Sequence, residues 1–190
     1  MRITKQSLTL RWIFASAAAA IVFAVLAWSD MRLKSLSGFG THDLQGFSTA
    51  AEYRRAFLVW PSLYAVRAGF NWGLDYLLMP LYALAFFHAG ILAREGFAPR
   101  PGLLRRVLTL LAAVPIAGAV LDGIENALQF GMMLTGASDA LARAALTVSN
   151  AKWMAITVGM ALWLGAVLAR QQERLQRRLG EAGNLPPPRA

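Results

Sequence analysis

The sequence contains no cysteine and only two histidines in 190 residues. The first absence excludes disulfides, thiolate nucleophiles and cysteine-ligated metals. The second leaves His42 and His88, far apart and outside any HExxH-type spacing, so no metal site is expected. There is no GxxxxGK[ST] phosphate loop and no GxSxG elbow. No cofactor is implied. Charge is also scarce: Asp, Glu, Lys and Arg make up 15% of the chain, against about 25% in a soluble domain.

What replaces the missing charge is apolar sequence, 57% of residues with a mean hydropathy of +0.46. It comes in long blocks, and a block of roughly 20 residues is what a helix needs to cross about 30 Å of hydrocarbon. The pattern predicts an all-α, polytopic four-transmembrane-helix bundle. The crossings fall at about 12–28, 70–93, 107–134 and 142–169, within a single membrane domain of residues 1–170. The first block follows Arg2, Lys5 and Arg11 and has the outline of a signal peptide. It is read as an uncleaved first helix, because no small-x-small cleavage site precedes Asp30 and further apolar blocks follow.

The formal charge of +9 and a pI near 11.0 raise the question of nucleic acid binding. The basic residues flank the apolar blocks without an aromatic-basic ladder, so nucleic acid is set aside and anionic lipid headgroups are the expected partners. The N-terminus, the loop from Arg94 to Arg106 and the tail 171–190 are all basic, whereas the turn after the third block carries only Arg143. The positive-inside rule then places both termini in the cytoplasm. The tail ends in Pro186-Pro187-Pro188, a composition expected to be disordered. Trp12, Trp28, Trp60, Trp72 and Trp163 fall near the predicted interfaces, as an aromatic belt would.

Residues 29–66 form the predicted extracytoplasmic segment. Within it, Thr49-Ala50-Ala51-Glu52 has capping-box spacing and opens a short amphipathic helix ended by Pro61. Tyr53, Phe57 and Trp60 share one side of it, and Glu52 and Arg55 another. A connector resting on the bundle is preferred to a lid over a cavity, because amphipathicity alone fixes only interfacial placement.

Five polar residues interrupt the later crossings: Asp75, Asp122, Glu125, Asn126 and Lys152. A central Asp or Lys costs on the order of 2.5–3.5 kcal/mol to insert, so such groups must meet each other or water. At about 1.5 Å per residue they lie at similar depth in the outer half of the bundle. Asp122, Glu125, Asn126 and Gln129 follow i, i+3, i+4, i+7 and share one helix face. The inner halves of the third and fourth crossings are apolar. The expectation is therefore a polar pocket in the outer half, closed toward the cytoplasm, that could hold a lipid or small molecule. Three carboxyls face one lysine, so either a proton stays on one of them or a further cation joins. The plainest reading is a helix-register clasp between Lys152 and Asp122 or Glu125, completed by Asn126; a ligand or proton-handling site is the alternative. His88 is read as a packed or headgroup-facing histidine. Gly118, Gly123, Gly159 and Gly165 are read as close-packing positions.

The spacings Asp75-x-x-x-x-Pro80-x-Tyr82, Asp122-x-x-Glu125-Asn126 and Lys152-Trp153, with Phe47-Ser48-Thr49-Ala50-Ala51-Glu52, occur together between residues 40 and 165. In these the chain resembles a group of uncharacterised bacterial four-helix membrane proteins. The resemblance implies four crossings and a bacterial inner membrane, and brings no activity. Three functions fit these residues. One is a structural or partner-binding bundle. The second is a small proton-coupled carrier, which would need a homodimer. The third is a membrane enzyme acting on a lipid or isoprenoid, with Asp122 or Glu125 as acid/base.

Overall fold

A computed structural model describes residues 4–183. Among them the chain is all-α. Four long helices, α1 (Lys5–Ser37), α3 (Ser62–Phe97), α4 (Leu103–Thr135) and α5 (Asp139–Gly183), are joined by a short α2 (Ala50–Leu58) and a 3-10 turn at His42–Gly46. All four long helices are long and apolar enough to cross a membrane.

Each boundary has a local cause. Thr4 caps α1 by accepting from the Ser7 N–H at 3.2 Å. Gly38, at φ 86°, ends it in the left-handed region, where its N–H returns to the Lys34 carbonyl. The Thr49–Glu52 capping box forms as the sequence predicts. Pro61 then separates α2 from α3, and Gly136, at φ 101°, ends α4. Pro80 does not break α3.

The helices outrun the apolar blocks. Residues 29–37 and 62–66, expected in the extracytoplasmic segment, continue α1 and α3, so only residues 38–61 connect them. The tail starts as a continuation of α5, which runs up to Gly183. Arg170, Gln171, Gln172, Glu173 and Arg174 are good helix formers, so the backbone carries on past the point where hydropathy drops. The proline run at 186–188 lies outside the described residues.

α3 is the hub, packing against α1, α4 and α5, while α4 and α5 also pack on each other. Small residues set the close approaches. A Cβ at Gly90 would sit 2.6 Å from the Ala112 Cβ, and one at Gly118 would sit 2.9 Å from the Ala155 Cβ. Gly159 likewise faces Phe86, whereas Gly123 and Gly165 have only ordinary contacts. α1 adds little to the central core. At one end it reaches α5 through Trp12 and Trp163, whose rings are 5.7 Å apart. It is nonetheless tied to α3 by polar contacts. Ser29 Oγ donates to Asn71 Oδ1 of α3 at 2.6 Å, and Asp30 Oδ1 accepts from Asn71 Nδ2 at 3.2 Å.

Asp30 also shapes the connector. Its Oδ1 accepts from the Thr41 N–H at 2.5 Å and from Thr41 Oγ1 at 2.7 Å, so the chain folds back along α1 after Gly38. The 3-10 turn then lies against α5, where Trp153 Nε1 donates to Gln45 Oε1 at 3.0 Å. α2 rests on the α4–α5 turn. Asp139 Oδ1 accepts from the Ala50 N–H at 2.7 Å, and an Arg54 N–H reaches the Ala137 carbonyl at 3.3 Å. Its Tyr53 and, just past its end, Trp60 are buried, with Glu52 and Arg55 exposed. Together with Leu33, Leu44, Trp72 and Met132 they form an apolar cap over one end of the bundle. Of the five belt tryptophans, Trp12, Trp60 and Trp72 are buried, Trp163 is partly buried and Trp28 is exposed. The indoles of Trp12, Trp60 and Trp72 fill gaps between elements.

Candidate functional site: a buried polar cluster

The cluster is built outward from one face of α4. Asp122, Glu125, Asn126 and Gln129 are all buried, as the i, i+3, i+4, i+7 spacing requires of one stripe. Across from them α5 brings Lys152, 2% exposed, through the close crossing at Gly118 and Ala155. Lys152 Nζ donates to Asp122 Oδ1 at 2.7 Å and lies 2.5 Å from Glu125 Oε2. The first contact is a directed hydrogen bond. The second is ion pairing without hydrogen-bond geometry. One ammonium thus bridges two carboxylates a turn apart on the neighbouring helix.

The remaining carboxylate oxygens are also served. Tyr82 of α3 donates its hydroxyl to Asp122 Oδ2 at 3.1 Å. Gln129 Nε2 donates to Glu125 Oε1 at 2.8 Å. The Gln129 amide oxygen in turn accepts from Trp72 Nε1 at 3.3 Å. Ser149, one turn before Lys152 on α5, is buried beside Glu125. Such satisfaction is what keeps a buried ionic group from destabilising the fold.

Asp75 stands apart. It is only partly buried, and its Oδ2 accepts from Asn126 Nδ2 at 2.8 Å without contacting Lys152. The structure therefore divides the five predicted residues into a Lys152–Asp122–Glu125 triad and an Asp75–Asn126 pair, adjacent through α4. The sequence pattern does not single out Ser149 as part of the site, nor the Ser29–Asp30–Asn71 link nearer the cap. The only signal for them is a single polar residue within apolar or loop sequence. Tyr82 and Gln129 belong to the spacings that mark the cluster, but nothing in those spacings makes them partners of the carboxylates.

The cap lies over this cluster. Tyr53, fully buried, donates to the Leu44 carbonyl at 2.9 Å. Burial raises the pKa of its phenol well above the ordinary value, and the charge of nearby Glu125 pushes it the same way, so it remains a donor. The outward-opening pocket expected from sequence is thus covered by Trp72, Tyr53 and Leu44. The reason is that the connector folds back instead of standing clear. Two cavities lie away from the cluster, one of about 330 Å³ beside Trp28, Leu63 and Arg67, and one of about 550 Å³ beside Arg11 and Arg94. Among the described residues no three His, Asp or Glu side chains are placed to hold a metal ion.

No protein-family model, curated protein or solved structure matches this chain.

Proposed function

We propose that the chain is a multi-pass protein of a bacterial inner membrane with both termini cytoplasmic, and that the polar cluster is an internal clasp fixing the register of α3, α4 and α5. The role is structural, in a bundle that binds lipid or a partner. One observation carries it: the polarity of the molecule is inverted. Phe14, Leu110 and Met154 are more than 70% exposed, while Asp122, Glu125 and Lys152 are at most 3% exposed. Water would disfavour that arrangement and a bilayer favours it. The ends support the orientation. The end that joins Lys5 to Glu173 also carries the Arg94–Arg106 loop, and its basic excess is what the cytoplasmic side attracts. The bacterial assignment rests on the resemblance in the Asp75–Tyr82, Asp122–Asn126 and Lys152–Trp153 spacings.

The test exchanges the charges. Lys152→Asp should lower abundance and thermal stability in detergent, and adding Asp122→Lys should recover much of both. No recovery in the exchange variant would refute the clasp. Retention of the chain in membranes after alkaline carbonate washing tests the bilayer assignment separately.

A second reading rests on Asp75, a partly exposed carboxyl one hydrogen bond from the α4 stripe. That is where a proton-coupled carrier or a lipid-directed acid/base enzyme would admit a proton. Asp75→Asn would then abolish transport or turnover while leaving stability nearly unchanged.

A further inference from the structure

The bundle has a second charged feature, at the opposite end from the cap. α1 and α3 part there around the 550 Å³ cavity, lined by Lys5 and Arg11 of α1 and by His88 and Arg94 of α3. The lining spans Lys5 to Arg11 on one helix and Phe87 to Glu95 on the other, so the cavity runs along the helix axes as a groove. At about 1.5 Å per residue its length is on the order of 10 Å.

The charges in it are unevenly compensated. Glu95 also lines the cavity, but Arg94 and Arg105 both hold its carboxylate, with Nη2 of each within 2.7 Å of Oε1. Lys5 pairs with Glu173, which Arg170 also approaches at 3.4 Å. Arg11 is exposed and makes no ion pair or hydrogen bond among the described residues. Two carboxylates thus face five cations, and Arg11 is left over. The rest of the wall is apolar, with Leu8, Phe87 and Ile91 lying between the charged positions.

We propose that this groove binds the phosphate-bearing headgroup of an anionic phospholipid, with an acyl chain against Leu8 and Ile91. The inference rests on the membrane reading above. A free phosphate would use the cations but not the apolar wall, whereas a phospholipid uses both. Basic hollows between membrane helices on the cytoplasmic side suit such headgroups. Arg11 lies up to two turns deeper than Lys5, and a long arginine stem can carry its guanidinium back to headgroup level.

The test is native mass spectrometry of the full chain in detergent with phosphatidylglycerol or phosphatidylcholine added at equal concentration. Phosphatidylglycerol adducts should be retained about 25-fold more, about fivefold for each of Arg11 and Arg94, and Arg11→Gln should lower that preference to about fivefold. Arg11→Gln/Arg94→Gln should remove the preference altogether. Arg54→Gln/Arg55→Gln, in α2 at the other end, should leave it intact. Arg11 is exposed and unpaired, so its single variant keeps the test readable if the double variant does not fold. Equal retention in Arg11→Gln and the parent protein would overturn the proposal. Displacement of the lipid by millimolar inorganic phosphate would also overturn it, in favour of a free-phosphate site. A chain that stays in membranes after carbonate washing but shows no lipid preference refutes this site alone. A chain released by the wash refutes the membrane reading as well.

Discussion

Replacing Lys152 with methionine keeps most of the stem's volume and deletes the ammonium that bridges Asp122 and Glu125. Two carboxylates would then share a buried site without a cation. The least costly remedy is for one of them to take up a proton. At pH 7, starting from an ordinary glutamate value of about 4.3, that costs about 3.7 kcal/mol. The figure falls within the roughly 3–5 kcal/mol typical of breaking a buried ion pair from one side. The expected loss for Lys152→Met at pH 7 is therefore about 3–4 kcal/mol. The sign with pH follows from proton counts. The folded variant holds one more proton than its unfolded chain, so its deficit grows as pH rises and shrinks toward about 1 kcal/mol at pH 5. Lys152→Met/Asp122→Asn/Glu125→Gln removes the whole ionic set, and replacing all partners together is far less costly than removing one. It should return to within about 1–2 kcal/mol of the parent. Equilibrium unfolding in mixed micelles at pH 7 and pH 5 measures all three proteins. The reasoning fails if Lys152→Met lies within about 0.5 kcal/mol of the parent, below the effect of even a modest intramembrane hydrogen bond. It also fails if the triple variant is no more stable than the single one.

Other expectations follow from the packing and the cap. Gly90→Ala would drive a methyl into the Ala112 Cβ at 2.6 Å and its Cα at 2.9 Å and should cost about 1–3 kcal/mol in a thermal melt, of which Ala112→Gly should recover only a part, because the Cα stays. Asp30→Ala leaves the Thr41 N–H and hydroxyl without their acceptor. Hydrogen exchange over residues 38–48 should then speed up by about one to two orders of magnitude, matching 1–3 kcal/mol for an unsatisfied buried group. Glu52 is held below the usual carboxylate range, chiefly by the Ser48 N–H and then by the Thr49 hydroxyl. Its contribution to α2 is therefore present above the ordinary value of 4.5 and lost as pH falls through the lower folded value. Exchange protection in α2 should drop in acid for the parent, and Glu52→Gln should remove that pH dependence.

Much of the architecture is legible in the order of the residues. The four apolar blocks mark four long helices, because apolar length is a property of sequence alone. Their ends are not legible in the same way, since hydropathy reports where an apolar surface stops, whereas the helix stops where caps and prolines end its hydrogen bonding. Arg170 and Glu173 are polar yet stay helical for that reason. The α4 stripe from Asp122 to Gln129 is legible as well, because residues on one helix have fixed relative angles. The pairing across helices is not. Whether Lys152 reaches Asp122 or Glu125, and whether Asp75 meets a lysine or an amide, depends on the rotations of α3 and α5. Contacts such as Gly118 with Ala155 set those rotations, and they exist only once the helices are packed. The fold-back over the cluster is hidden for a similar reason: it depends on Asp30, distant in sequence from the carboxylates it helps to cover.

The triad also bears on the order in which the chain can be made. α4 leaves the ribosome carrying Asp122 and Glu125, while their lysine is still unsynthesised in α5. In a bilayer, α4 alone would be a poor guest. Only residues 136–138 separate the two helices, so Lys152 follows Glu125 within a single hairpin's length. Insertion of α4 and α5 as one unit lets the ammonium arrive before either carboxylate must settle in hydrocarbon. Lengthening that turn would postpone the lysine and expose α4 to extraction, even where Lys152 still reaches Asp122 and Glu125 in the finished bundle.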